Sequence, residues 1–263
     1  MEYHMTDHLT EVWQTLSDEE MQLYSRQIFL DGWDIEAQEK LKLANVIIIG
    51  AGGIGCIVSE LLARAGVGKI TLVDHDQVDS SNLQRQIGFN SEDIGFFKAE
   101  VVANKLKKIN THINVIAVTH PLTEENITSL FTGQDIVLDG CDNFKTRYLT
   151  NLFAYQFKIP LLSASAIGYD GQLFMIHPPS ACYECLFPYA IKEDEAKRCS
   201  DTGVLATVPN VMGALQAHHA LIYLGLGKMP LLEKLLLWNG LNMTQRIVKF
   251  EKDEECTVCR LKI

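Results

Sequence analysis

Cys182-Tyr183-Glu184-Cys185 and Cys256-Thr257-Val258-Cys259 are each a C-x-x-C pair, and together they constrain this chain more than any other feature. Four thiolates are the number and softness of donor that a tetrahedral structural Zn²⁺ takes. A metal shared by Cys182, Cys185, Cys256 and Cys259 would tie the last residues to the middle of the molecule. The two pairs use four of the seven cysteines. A disulfide reading is weaker, because Met1-Glu2-Tyr3-His4 leads into a polar stretch with no signal peptide, so a reducing cytoplasm is expected. A closed site of this kind holds the fold and leaves the chemistry elsewhere.

With 263 residues, 47% of them hydrophobic, the chain can bury a substantial core. Its net charge of −10 argues against a nucleic-acid partner, whose phosphates call for a basic face. No apolar run approaches the ~20 residues of a membrane span. Residues 1–16 read as a loose N-terminal segment. Ser17 followed by Glu20 fits a capping box, so a helix is expected to start there and carry Tyr24, Arg26 and Gln27. A second short helix is expected over 36–43.

From residue 46 the texture changes. Strands are expected at 46–49, 70–73, 115–118, 136–138 and 161–166, and helices at 53–64, 98–109 and 144–157. Such alternation predicts an α/β fold: a Rossmann-like, mostly parallel sheet with helices on both faces. After Gly171 it ends. A strand at 172–176, a long helix at 208–224 and a hairpin of 235–238 with 245–250 extend the sheet into a mixed, antiparallel part. Residues 17–263 are thus expected to form one domain with a continuous core. Its nucleotide-binding half spans 17–168, and the half carrying the cysteines spans 169–263.

Gly50-Ala51-Gly52-Gly53-Ile54-Gly55 satisfies G-x-G-x-x-G where a strand meets a helix. Gly50, Gly52, Gly53 and Gly55 would let the backbone approach a phosphate, and the helix N-terminus offers free N–H groups. Asp74 follows Gly55 by 19 residues, at the end of the next strand, where a carboxylate can accept from ribose hydroxyls. This much suits NAD and ATP enzymes alike. Asp76, Asn82, Arg85 and Lys98 tilt the choice: hydride transfer needs no such set, whereas a triphosphate uses Arg as a planar fork and Lys as a point charge. Asp139 and Asp142, in Leu138-Asp139-Gly140-Cys141-Asp142-Asn143, fall where ligands bind in open parallel sheets and where a carboxylate can hold Mg²⁺. Either aspartate could instead cap the helix that follows.

Tyr24-Ser25-Arg26-Gln27-Ile28, the glycine loop, Ser81–Gln86, Asp142-Asn143, Gly171-Gln172, both C-x-x-C pairs and Gly213-Ala214-Leu215-Gln216-Ala217 occur in an order that resembles the ThiF/MoeB/HesA family. That family is similar to the adenylation domain of ubiquitin-activating enzymes. The resemblance spans roughly residues 17 to 259. It implies an ATP-dependent adenylyltransferase acting on the C-terminal Gly-Gly carboxylate of a small ubiquitin-like sulfur carrier, in a homodimer with a structural zinc. It further implies that Gly53 approaches ATP, Asp74 binds ribose and Asn82, Arg85 and Lys98 hold phosphates. Asp142, beside Asn143, would serve Mg²⁺-assisted adenylation, and Arg26 would reach into the neighbouring subunit's site.

Cys56 and Cys141 read as core filling. Cys199 lies in a charged stretch after Lys197-Arg198, which favour a thiolate, and it precedes Gly203 by four residues. The resemblance places there a cysteine that can form an acyl-disulfide link to the carrier; otherwise it is a spectator thiol. The adjacent His218-His219 are expected one packed and one partly exposed, without a catalytic role. The charged segment before Cys199, and Ser163-Ala164-Ser165-Ala166 with Gly171-Gln172-Leu173, point to the thiamine (thiazole) branch, with the molybdopterin-synthase branch as alternative. A cysteine desulfurase or rhodanese is the expected sulfur donor. Rival functions are a NAD-dependent oxidoreductase, separable by ATP-versus-NAD calorimetry, and a non-catalytic carrier-docking protein, separable by pyrophosphate exchange.

Overall fold

The computed structural model describes residues 15–188 and 203–260. Ser17 and Glu20 form the expected capping box, with Ser17 N–H donating to Glu20 Oε2 at 2.8 Å. The helix is shorter than expected. It breaks at Tyr24 into α1 (Asp18–Leu23) and α2 (Ser25–Ile28). The break has a tertiary cause: the buried Tyr24 ring runs under Gly66, and its hydroxyl accepts from Asn110 Nδ2 at 2.8 Å. Then follow α3 (Asp34–Leu43), β1 (Asn45–Ile49), α4 (Gly53–Ala65), β2 (Lys69–Val73), α5 (Lys98–Ile109) and β3 (Asn114–Val118). Next come α6 (Glu124–Phe131), β4 (Ile136–Asp139), α7 (Phe144–Gln156), β5 (Leu161–Ile167) and β6 (Asp170–Ile176). The short α8 (Tyr183–Leu186), α9 (Thr207–Leu226) and the hairpin β7 (Lys234–Asn239) and β8 (Thr244–Lys249) complete the helices and strands of the described residues.

One eight-stranded sheet has the order β3-β2-β1-β4-β5-β6-β7-β8. Strands β1 to β5 pair in parallel, and β6, β7 and β8 join antiparallel, as the change of texture after Gly171 implied. The inner strands are buried on both faces, which is why they read as unbroken apolar runs. Alternate side chains supply two cores. Val46, Ile48, Ile136, Leu138 and Leu162 enter one under α4, α5 and α9. Ile47, Ile49, Val137, Leu161 and Phe174 enter the other, under α6 and α7, which also holds Cys182, Cys256 and Cys259. At α9 the backbone crosses α4 closely: a Cβ on Gly213 would lie 2.8 Å from the Ile54 carbonyl oxygen. Helix α6, absent from the sequence reading, packs only Ile127 and Phe131 as fully buried apolar anchors and opens with Thr123 N–H donating to Asn126 Oδ1. Among the described residues no helix is long and apolar enough to cross a membrane.

Candidate active site and cysteine cluster

The chain runs outward from β1 through β2 to β3, then returns to place β4 and β5 on the other side of β1. The crevice between the C-terminal ends of β1 and β4 is therefore a topological switch point, where open α/β sheets bind ligands. The glycine loop forms its one wall. Gly50 has φ +95°, and a Cβ there would lie 3.1 Å from the Gly140 carbonyl oxygen, so the loop and the turn after β4 are in contact. A Cβ on Gly55 would collide with the Gly50 carbonyl, which lets α4 start directly behind the loop. Gly53 faces Pro209 of α9, its would-be Cβ 2.9 Å from that ring. Gly52 caps α4 without a side-chain hydrogen bond, which leaves first-turn N–H groups of the kind that could receive an anion.

Asp74 stands beside the loop. Its Oδ2 accepts from Ala51 N–H at 2.7 Å and its Oδ1 from Asp76 N–H at 2.9 Å. Burial raises its pKa, against these hydrogen bonds and the nearby Lys98. Lys98 is 7% exposed at the start of α5, and its Nζ lies 2.9 Å from Asp76 Oδ2. Asp76 is exposed, so the ammonium is pinned from the solvent side. Asn82 is buried in a 3₁₀ turn, Ser80–Asn82, where its Oδ1 accepts from Asp79 N–H at 3.1 Å. Arg85 donates from Nη1 to the Ser81 carbonyl at 3.1 Å, and its own carbonyl accepts from Asn210 Nδ2 at 3.2 Å.

The two aspartates after β4 separate. Asp139 is 1% exposed and ion-paired to Arg147 at 3.0 Å, so it faces the interior. Asp142 is exposed on the turn. Neither caps α7; Asn143 does, its Oδ1 accepting from Thr146 N–H at 2.9 Å. Arg147, not singled out in the sequence, lines this region with Gln86 and Gln216, which the quoted motifs contain without an assigned role. The buried Gln86 brings Nε2 to 3.5 Å from where a Cβ on Gly52 would be. Periodicity carries no signal for such residues: Gln216 reaches Asp139 and Leu162, remote in the chain, and Arg147 turns back onto Asp139 and Cys141 just before its own helix.

Arg26 is on the exposed face of α2, far from this crevice. Its neighbour Gln27 donates to the carbonyl of Ala65 at the last residue of α4, whose first residue is Gly53. The 13 residues of α4 separate these ends by about 20 Å. Arg26 lines a surface cleft of about 310 Å³ with Leu23, Leu30 and Arg64. His218 is exposed and His219 half-buried, as expected, and burial lowers the His219 pKa to about 4. Cys56 is buried, donating to the Ala51 carbonyl, and Cys141 is half-buried in the turn after β4. Cys199 lies outside the described residues.

The two C-x-x-C pairs do meet. The sulfur atoms of Cys182 and Cys256 are 3.5 Å apart, those of Cys185 and Cys259 3.3 Å, and those of Cys182 and Cys185 3.9 Å. All four lie within 4.8 Å of one another as free thiols. Tetrahedral bonds of about 2.3 Å to zinc put neighbouring sulfurs roughly 3.8 Å apart, so the donor set fits that ion. Asp253 N–H points at Cys185 Sγ at 3.4 Å, and Thr257 Oγ1 donates to Glu184 at 2.9 Å, bracing one pair against the other.

Comparison with known proteins agrees with this geometry. The ThiF family model matches residues 24–258. The molybdopterin-synthase adenylyltransferase of Salmonella typhimurium is 39% identical over 246 residues, 93% of this chain and 98% of that protein. The sulfur carrier protein adenylyltransferase of Thermus thermophilus is 38% identical, over 92% of this chain and 91% of that one. A crystal structure of E. coli MccB with ATP is similar with a TM-score of 0.78 at 28% identity, over 90% of this chain and 74% of that chain. With the family's pattern running through the glycine loop, the turn after β4 and the sheet that joins them, this chain belongs to the ThiF family.

Proposed function

We propose that this protein activates the C-terminal Gly-Gly carboxylate of a ubiquitin-like sulfur carrier by adenylation. It is an ATP-dependent adenylyltransferase, a reading supported by the names of its relatives over nearly their full length. The observation that carries it is the contact of the glycine loop with the turn bearing Asp142, flanked by Asp74, Lys98 and Arg85. A carrier carboxylate attacks the α-phosphorus and pyrophosphate leaves, so the protein needs position and charge rather than a nucleophile. The α4 N-terminus and Gly53 receive phosphate oxygens, Asp74 holds the ribose, and Asn82, Arg85 and Lys98 hold the polyphosphate. Asp142, with Asn143 at its side, would hold Mg²⁺, which when bound neutralises charge on the phosphates. Lys98 exchanges its Asp76 partner for phosphate as the nucleotide arrives. Arg85 and Lys98 would have no task in hydride transfer, and their retention disfavours a docking protein without catalysis.

Cys182, Cys185, Cys256 and Cys259 would hold a structural Zn²⁺ in a reducing, cytoplasmic setting. A homodimer is supported by the position of Arg26, about 20 Å from its own glycine loop along α4, next to exposed Leu23, Phe29 and Leu30. Arg26→Ala and Asp142→Ala proteins, each inactive alone, should recover part of their activity when mixed under subunit exchange. Demonstrated exchange without recovery would assign Arg26 to its own chain.

The thiamine branch rests on the charged segment before Cys199, while the name of the Salmonella relative favours a molybdopterin-synthase carrier. Ser163 and Ala164, read as branch markers, are buried in β5, where the Ser163 hydroxyl and the Ala164 carbonyl both bond to Arg147. Pyrophosphate exchange with a carrier of each type decides: faster exchange with the thiamine-type carrier supports the first branch, faster exchange with the other the second, and stimulation by neither refutes carrier activation. For Cys199, a persulfide received from a cysteine desulfurase or rhodanese would displace AMP from the adenylated carrier, giving an acyl disulfide and then, on reduction, a thiocarboxylate. Intact-mass analysis should therefore show a reductant-cleavable carrier adduct that disappears in Cys199→Ser. An adduct that persists there would make Cys199 a spectator.

A further inference from the structure

One buried side chain grips the turn after β4 and has no part in the chemistry above. Arg147, in the first turns of α7, is 8% exposed. Its Nη1 lies 3.0 Å from Asp139 Oδ2 and 2.8 Å from Ser163 Oγ, which itself donates to Asp139 Oδ2 at 2.6 Å. Its Nη2 donates to the carbonyls of Cys141 and of Ala164. The second oxygen of Asp139 accepts from Cys141 N–H at 3.0 Å. Gln216 of α9 donates to the carbonyls of Asp139 and Leu162 at 2.9 and 2.8 Å. The main chain of Cys141 is thus held on both sides, its N–H by Asp139 and its C=O by Arg147. The next residue but one, Asn143, is fixed as the cap of α7. Asp142 lies between two immobilised neighbours.

A buried ion pair adds little net stability compared with an apolar packing of the same volume. Its geometric effect here is larger, because a planar fork can serve Asp139, Ser163 and a carbonyl together, which an ammonium cannot. Burial disfavours the Arg147 charge, but the adjacent Asp139 carboxylate outweighs it and raises the guanidinium pKa. We propose that Arg147 is a positioning residue: through Asp139 and the Cys141 carbonyl it sets the turn so that Asp142 presents its carboxylate to the metal–nucleotide at the switch point. This rests on the role of Asp142 argued above.

The test is Mg²⁺-dependent, carrier-stimulated pyrophosphate exchange by the full chain, with wild type, Asp142→Ala, Arg147→Lys and Ser163→Ala side by side. Arg147→Lys should lower the maximal rate about tenfold or more, as sub-ångström misplacement of a reacting group does, and should raise the Mg²⁺ needed for half-maximal rate several-fold. The KM for the carrier should stay within about twofold, the pattern of an interaction made at the reacting centre. Ser163→Ala should shift the Mg²⁺ requirement the same way, by less. Unchanged Mg²⁺ dependence in both variants, whatever their melting temperatures, overturns the proposal; if Arg147→Lys does not fold, an unchanged Ser163→Ala overturns it alone. An inactive wild type, or an Asp142→Ala protein as active as wild type, would instead overturn the adenylation site itself.

Discussion

Asp142→Ala and Arg85→Ala should each reduce carrier-dependent exchange of pyrophosphate into ATP by a hundredfold or more. Asp142 is the exposed carboxylate at the switch point, since Asp139 is consumed by its buried pair with Arg147. Arg85 is the planar donor on the opposite flank, its backbone anchored to α9 by Asn210. Each group acts on charge that grows as pyrophosphate departs, and loss of one such contact costs about 3 kcal/mol or more at the transition state. Neither side chain is part of the apolar core, so the melting temperature should move by no more than a few degrees. The check is exchange rate and thermal midpoint on the same preparations. Exchange within a few fold of wild type in both variants would remove these residues from the reaction.

The cysteine cluster should have the second largest effect, on stability. The protein prepared under reduction should carry one Zn²⁺ per chain, and Cys182→Ser should lose it. Cys182, Cys256 and Cys259 are almost fully buried within the second core, and together with Cys185 they join α8 to the segment after β8. Structural zinc contributes folding free energy directly. If the net contribution is on the order of 4 kcal/mol, at roughly 2–4 °C per kcal/mol for a domain of this size, the midpoint falls by about 8–16 °C. ATP binding should be largely retained, because the four cysteines sit at α8 and in the segment after β8, and none belongs to the glycine loop or to the turn after β4. Metal-free wild-type protein, or a disulfide among these four residues, would contradict the zinc assignment.

Much of this architecture was readable from local pattern, and the exceptions share a cause. Strands buried on both faces, such as Val46–Ile49, announce themselves as apolar runs, and the glycines of the loop mark where β1 yields to α4. Helix α5 falls where its amphipathic period placed it, Lys98–Ile109. The break at Tyr24 was not readable, because it depends on Asn110, remote in sequence. Phe250 leaves the last strand to meet Phe174 edge-on at 6.4 Å, which shortens β8 at Lys249. Residue types and spacing pointed to the loop and Asp74, which the fold sets side by side, and to both cysteine pairs, which it brings together. They could not rank Asp139 against Asp142, since burial by Arg147 and Ser163 decides that. Gln86 and Gln216 stand inside motifs that the sequence reading quoted, without a role of their own there, and Arg147 sits in the mixed text of α7, where nothing distinguishes it from a surface residue.

The most direct measurement of the central claim is labelled-pyrophosphate exchange by wild-type protein with a carrier ending in Gly-Gly and with the same carrier lacking its last glycine. Exchange should require ATP, Mg²⁺ and the intact terminus, and intact mass should show an AMP adduct on the full carrier alone. Absence of exchange with every Gly-Gly carrier offered, or equal exchange with the truncated one, would contradict the assignment of this site to carrier adenylation.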